Sequence, residues 1–149
     1  MYKRIAVAVD GSDTSTIALN EAVSLAEVMG STLLLLHVCE EMPVVWNIEG
    51  MTAWPMTDVA KVFIETGKQL LKKDKARVAG SGISVETRLV EDYSGRIGAV
   101  INEEAERWLA DLLVVGTHGR KGLDHMLMGS VAEGVIRTAS VPVLLVRGK

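Results

Sequence analysis

The chain holds 149 residues, 48% hydrophobic and 23% charged, so it has apolar chain enough for a core and too much for a disordered segment. The formal net charge is -3, which leaves no basic field to hold a nucleic-acid backbone. Cys39 is the only cysteine, excluding an intramolecular disulfide and a cysteine-rich zinc site, and no apolar run reaches the roughly 18 residues of a membrane span.

Met1-Tyr2-Lys3-Arg4 leads into a strand rather than a signal peptide, so the expected product is a soluble, cytoplasmic protein of one domain, residues 1–149. Lys3 to Asp10 reads as a buried strand. Gly11-Ser12-Asp13 then marks a turn and a helix N-cap. Thr14 to Met29 repeats Ile17, Ala18, Ala22, Leu25, Ala26 and Met29 at helical spacing, and Gly30 sits where a C-cap belongs. Thr32 to Val38 is a second strand, apolar on both faces except at His37, as strands of parallel sheets are. Cys39 to Met56 is irregular. A long helix follows from Thr57 or Asp58 to about Ala79 and ends at Gly80-Ser81-Gly82. Ile83 to Val90 is a third strand, Ser94 opens a helix, Leu112 to Val115 is a fourth strand, Gly116 to Gly129 a glycine-rich loop, Ser130 to Thr138 a short helix and Val141 to Val146 a fifth strand.

Strands alternating with helices predict an α/β fold: one doubly wound parallel sheet with helices on both faces. The most economical strand order is 3-2-1-4-5, with a ligand crevice at the carboxyl ends of strands 1 and 4. Asp10 ends strand 1, Val38 ends strand 2, and Val115-Gly116-Thr117-His118-Gly119 leaves strand 4. Nine residues separate Gly119 from Gly129-Ser130, which opens the next helix.

That pattern reads as a phosphate cradle. Glycines admit an anion close to the backbone and tolerate positive φ, and a helix N-terminus offers unpaired N–H groups with a partial positive charge. Gly129, Ser130 and Val131 supply the donors, Arg120 and Lys121 offer charge to the outer phosphates, and Asp10 is suited to a ribose hydroxyl or to Mg²⁺. A plainer reading exists for Ser130, since Ser130-x-x-Glu133 is also a capping box.

Val7-Ala8-Val9-Asp10-Gly11-Ser12, Leu35-Leu36-His37-Val38, Gly116-Thr117-His118-Gly119 through Gly129-Ser130, and Val141-Pro142-Val143 in the last strand together resemble the universal stress protein family. The resemblance covers essentially the whole chain and implies the same Rossmann-like fold. The intact Gly-x-x-Gly, nine residues, Gly-Ser spacing is similar to the family's ATP-binding branch. It implies Asp10 beside the ribose or metal, with Ala8 and Val9 leading into it, and Val38 meeting adenine through its backbone. It implies Val115, Gly116, Thr117, His118 and Arg120 around the nucleotide, with Gly119, Gly129, Ser130 and Val131 on the phosphates. The implied protein is an ATP-binding regulator of stress physiology, with Mg²⁺ held at Asp10 and no downstream partner specified.

The other candidates read more plainly. His37 is expected as a satisfied core histidine, His118 as a polar contact that shapes the loop, and Cys39 as a small buried hydrophobe. Glu91-Asp92 and Glu103-Glu104 read as solvated surface. Met42 to Met56 carries Trp46 and Trp54 and is too apolar for an idle loop, so it is expected either to cover the nucleotide, to meet a partner subunit, or to form a local cluster over the long helix. The last strand is expected at a sheet edge, with Pro142 at its start and a homodimer formed through residues 141–147. No activated nucleophile marks an enzyme; the alternative is a slow Mg²⁺-dependent ATPase or a nucleotide-processing enzyme of related fold. No Gly-x-x-x-x-Gly-Lys-Ser/Thr loop occurs, and neither a His-Ile-Gly-His motif nor a phospho-receiver's acidic cluster follows strand 1.

Overall fold

Two long apolar strands that must be buried on both faces dictate the architecture. In the computed structural model, which describes residues 1–40, 56–92, 94–119 and 128–148, the order is β1 (Arg4–Ala8), α1 (Asp13–Met29), β2 (Thr32–Glu40), α2 (Met56–Val78), a 3₁₀ turn (Ala79–Ser81), β3 (Ser84–Asp92), α3 (Ile97–Arg107), β4 (Leu112–Gly116), α4 (Ser130–Thr138) and β5 (Val143–Val146). The five strands form one sheet in the order β3-β2-β1-β4-β5, every pair parallel, as the alternation predicts. β1 is central, with Ile5 opposite Leu33 on one side and Leu112 on the other.

Side chains alternate across the sheet, so each strand feeds two cores. Ile5, Val7, Leu33, Leu35 and Val114 pack with Ala18, Leu19 and Ala22 of α1 and Leu71 of α2. Ala6, Leu34, Leu36, Leu113 and Val115 pack with Ile101 and Ala105 of α3 and Val135 of α4. Two glycines allow close helix approach. A Cβ on Gly67 of α2 would lie 2.7 Å from Leu89 Cδ1 and 2.8 Å from His37 Cδ2, and one on Gly98 of α3 would lie 2.6 Å from the Gly134 carbonyl carbon of α4. Asn102 ties the same helix pair, donating to Val135 O at 2.9 Å and Thr138 Oγ1 at 2.7 Å. α1 is capped as expected: Ser12 Oγ accepts from Ser15 N at 3.1 Å, and Gly30 closes the other end at φ 63°.

Several expected boundaries move. β1 ends at Ala8 rather than Asp10, although Val9 N still donates to Leu36 O at 2.9 Å. β2 and β3 run two residues further than their apolar patterns, because Cys39 pairs with Glu91 and Glu40 with Asp92, and backbone pairing does not need apolar side chains. β5 begins at Val143; Pro142 has no N–H to offer, though its carbonyl accepts from Leu113 N at 2.9 Å. α3 begins at Ile97, not Ser94, whose N–H and hydroxyl both donate to Asp92 Oδ1 at 2.9 and 2.6 Å.

Two carboxylates expected in solvent are buried. Asp92 is enclosed at the end of β3; burial works to raise its carboxyl pKa, but the bonds from Ser94 and Gly95 and the charge of Arg96 outweigh it and the net displacement is downward. Glu104 on α3 is buried between two arginines, accepting from Arg88 Nη1 at 2.9 Å and from Arg107. The Trp- and Met-rich stretch of residues 42–55 lies outside the described residues, as do Arg120 and Lys121. No helix among the described residues is long and apolar enough to cross a membrane.

Candidate functional site

The carboxyl ends of β1 and β4 each shed a loop, and the two loops meet. After β1 the chain turns through Gly11 at φ 81°. Asp10 is pinned inside that turn: its N–H donates to Ser15 Oγ at 3.0 Å and its Oδ1 accepts from Ser12 N at 2.9 Å. After β4, Thr117 N donates to Val146 O at 2.8 Å, and Thr117 O accepts from Gly129 N at 2.7 Å. That second bond fastens the start of α4 to the end of β4. Thr117 Oγ1 and His118 Nδ1 are 3.0 Å apart, which orients the half-buried imidazole.

The glycines make these approaches possible by lacking a side chain, not by adopting unusual backbone angles. None of Gly116, Gly119 and Gly129 has positive φ, contrary to the expectation for the cradle. A Cβ on Gly119 would stand 2.6 Å from Asp10 Oδ2, so that carboxylate lies directly against the β4 loop. A Cβ on Gly116 would stand 2.9 Å from Thr14 Cγ2, and one on Gly129 would stand 3.3 Å from Thr117 O. Hence a side chain at Gly116 would have to displace Thr14, and one at Gly129 would sit tightly against the Thr117 carbonyl.

Ser130 does not cap its helix. The N-cap of α4 is Gly129, in an extended conformation with no side-chain cap bond, and the Glu133 carboxylate pairs with Arg137 Nη2 at 2.6 Å instead of reaching back. The capping-box reading of Ser130-x-x-Glu133 therefore fails. No hydrogen bond within the described residues engages the exposed Ser130 hydroxyl. α1 consumes its first-turn amide with Ser12, whereas α4, at the carboxyl end of the sheet, has no such side-chain cap among the described residues. An open helix N-terminus in that position is suited to an anion.

The expected site residues thus fall into three groups. Asp10, Gly116, Thr117, His118, Gly119, Gly129, Ser130 and Val131 gather where β1, β4 and α4 meet. Ala8, Val9 and Val115 are the strand ends beneath them, Val9 and Val115 both buried. Val38 stands near the end of β2, next to β1, on the sheet face that packs with α3 and α4. Arg120 falls outside the described residues. Thr14 escaped the sequence reading: in the first turn of α1, it fills the space beside both Gly116 and Gly148. His37 and Cys39 are structural as expected; His37 is buried, its Nδ1–H donating to Val9 O at 2.7 Å, and Cys39 Sγ donates to Phe63 O at 3.7 Å. No group of three metal-ligating side chains occurs among the described residues.

The model of the universal stress protein family matches residues 1–147. The chain belongs to the universal stress protein family. It is 35% identical over 147 residues to a universal stress protein of Methanocaldococcus jannaschii, an alignment covering 99% of this chain and 83% of that one. Among solved universal stress proteins, one in complex with cAMP is 27% identical and superposes with a TM-score of 0.69, covering 97% of both chains. Another, from Archaeoglobus fulgidus in complex with dAMP, is 25% identical with a TM-score of 0.66, covering 97% of this chain and 98% of that one.

Proposed function

We propose that this universal stress protein binds ATP in the crevice between β1 and β4 and acts in the cytoplasm as a nucleotide-dependent regulator rather than a fast enzyme. The observation that carries the reading is the start of α4, which has no side-chain cap among the described residues and is fastened by the Gly129–Thr117 bond at 2.7 Å beside a loop narrow enough that Gly119 touches Asp10. Bound adenine nucleotides in two relatives of the same fold support an adenine nucleotide as the ligand. The amides of Ser130 and Val131, with the Ser130 hydroxyl, receive the phosphates. Asp10 accepts from the ribose, and the backbone of Val38 meets the base.

Mg²⁺ fits the residues present. It keeps waters and substrate phosphates and needs only one or two protein carboxylates, and Asp10 is the carboxylate at the crevice that would hold it. Bound there, the ion would neutralise charge on the phosphates. Asp10 itself stays fixed by Ser12 and Ser15, so its role is orientation. A slow ATPase is the second reading, favoured only by this carboxylate.

The dimer proposal rests on β5. Among the described residues it is an edge strand paired only with β4, and the missing N–H of Pro142 marks its start. A second copy adding antiparallel along residues 141–147 would remove that edge. A sedimentation mass near that of one 16.1 kDa chain at micromolar concentration would contradict the dimer. For the ligand, protein purified without added nucleotide is denatured and the released small molecules are identified by mass spectrometry. Co-purified ATP or a breakdown product supports the proposal, and a chemically different ligand at stoichiometric yield refutes it.

A further inference from the structure

The strand register carries one residue into this crevice that the glycine motif does not contain. β4 and β5 pair through Gly116 and Val146, and the ladder continues one step past the end of β5 with Thr117 N on Val146 O at 2.8 Å. The backbone of Arg147 therefore lies beside the Thr117–His118 segment. Along β5, Leu144 and Val146 belong to the core under α1, whereas Val143 and Leu145 belong to the core under α4. The alternation persists beyond the strand, since a Cβ on Gly148 would stand 2.7 Å from Thr14 Oγ1 in the first turn of α1. Residue 147, between Val146 and Gly148, is thereby on the α4 side of the sheet.

That is the side on which α4 packs, with the amides of its first turn. Gly129 hangs from Thr117 O while Val146 hangs from Thr117 N, so one residue fixes both the start of α4 and the approach to Arg147. Arg147 is exposed, and among the described residues no hydrogen bond or ion pair engages it. Arg88, Arg107 and Arg137, by contrast, are all paired with glutamates. The crevice also contains the Asp10 carboxylate, which without a bound metal ion repels a polyanion, so a protein cation beside the phosphates favours their entry.

We propose that Arg147 is a phosphate-binding residue of this site, its guanidinium closing the cradle from β5 and selecting nucleoside di- and triphosphates over adenosine and AMP. The inference rests on the nucleotide-binding reading above. Arginine suits the task because its planar fork of donors matches phosphate oxygens two at a time. The proposed dimer does not compete with it, because strand pairing uses the backbone while side chains stand perpendicular to the sheet.

The test is isothermal titration of the full chain with adenosine, AMP, ADP and ATP, repeated for Arg147→Met and Arg147→Lys. Wild-type protein is expected to favour ATP over adenosine. Arg147→Met should lose about tenfold in ATP affinity and less than about twofold in adenosine affinity, with Arg147→Lys intermediate. The unchanged adenosine affinity and an unchanged melting temperature separate this loss from misfolding. ATP affinity equal to wild type in Arg147→Met, or equal losses for adenosine and ATP, overturns the assignment. A wild-type protein that binds none of the four ligands refutes the nucleotide reading itself.

Discussion

Gly119→Ala tests the loop-to-loop contact on which the crevice depends. The added Cβ falls 2.6 Å from Asp10 Oδ2, whereas ordinary contacts of such a carbon begin at 3.4 Å. Loop and carboxylate must therefore separate by about 0.8 Å, an overpacking expected to cost about 1 kcal/mol because both residues are partly open to solvent. The displacement also strains the 2.9 Å bond from Ser12 N to Asp10 Oδ1, which orders the entry to α1. The informative experiment is a double-mutant cycle with Asp10→Ala, read by urea denaturation without nucleotide. Gly119→Ala should destabilise the wild-type background by about 1 kcal/mol and the Asp10→Ala background by less than about 0.3 kcal/mol, since the obstructing carboxylate is gone. Equal costs in the two backgrounds would refute the contact and with it the narrowness of the crevice.

The two helix starts should respond differently. Ser12→Ala removes a cap bond and should cost about 1 kcal/mol in chemical denaturation, whereas Ser130→Ala should change ligand-free stability by less than about 0.3 kcal/mol. Gly98→Ala pushes a Cβ to 2.6 Å from the α4 backbone and should cost about 3 kcal/mol, while Gly134→Ala, whose Cβ finds its nearest neighbour at 3.4 Å, should be neutral or mildly stabilising by thermal melts. Asp74 on α2 is buried; desolvation raises its pKa above the ordinary 3.8, against the lowering pull of Arg77, Lys73 and His37. A raised folded-state pKa means the native state binds the proton more tightly. This group's contribution to stability therefore falls as pH rises from 3.8 through the raised value and stays low above it. Asp74→Asn should accordingly raise the melting temperature more at pH 7 than at pH 3.5, and an equal change at both would contradict the assignment.

Element type and order were legible because the apolar strands leave little choice. Thr32–Val38, apolar on both faces, suits the middle of a parallel sheet, and the helices between strands then make 3-2-1-4-5 the economical order. Strand ends were less legible, since Cys39–Glu40 and Glu91–Asp92 extend the ladder through main-chain bonds that side-chain chemistry does not announce. The burial of Glu104 was hidden because its partner Arg88 lies sixteen residues away on another element. Asp92 was misread because Ser94, taken for a helix start, closes a turn on it instead.

At the site, the glycine spacing marked the loops that the sheet brings together after β1 and β4. Of the two reasons for glycine that the pattern offered, positive φ fails at Gly116, Gly119 and Gly129, whereas close approach is what they provide. Thr14 carried no sequence signal: its contacts with Gly116 and Gly148 join segments that only the sheet brings together. Ser130-x-x-Glu133 satisfies the capping-box pattern, yet Gly129 occupies the cap and Arg137 takes the glutamate. A pattern of local hydrogen bonding gave way there to a neighbour one helical turn further on.

The most direct measurement of the central claim is the amide spectrum of ¹⁵N-labelled protein titrated with ATP and, separately, with adenosine. Saturating ATP should shift the Ser130 and Val131 amide resonances strongly, and adenosine should leave them nearly in place while moving Val38. Ser130 and Val131 resonances that stay fixed at saturating ATP would contradict the account.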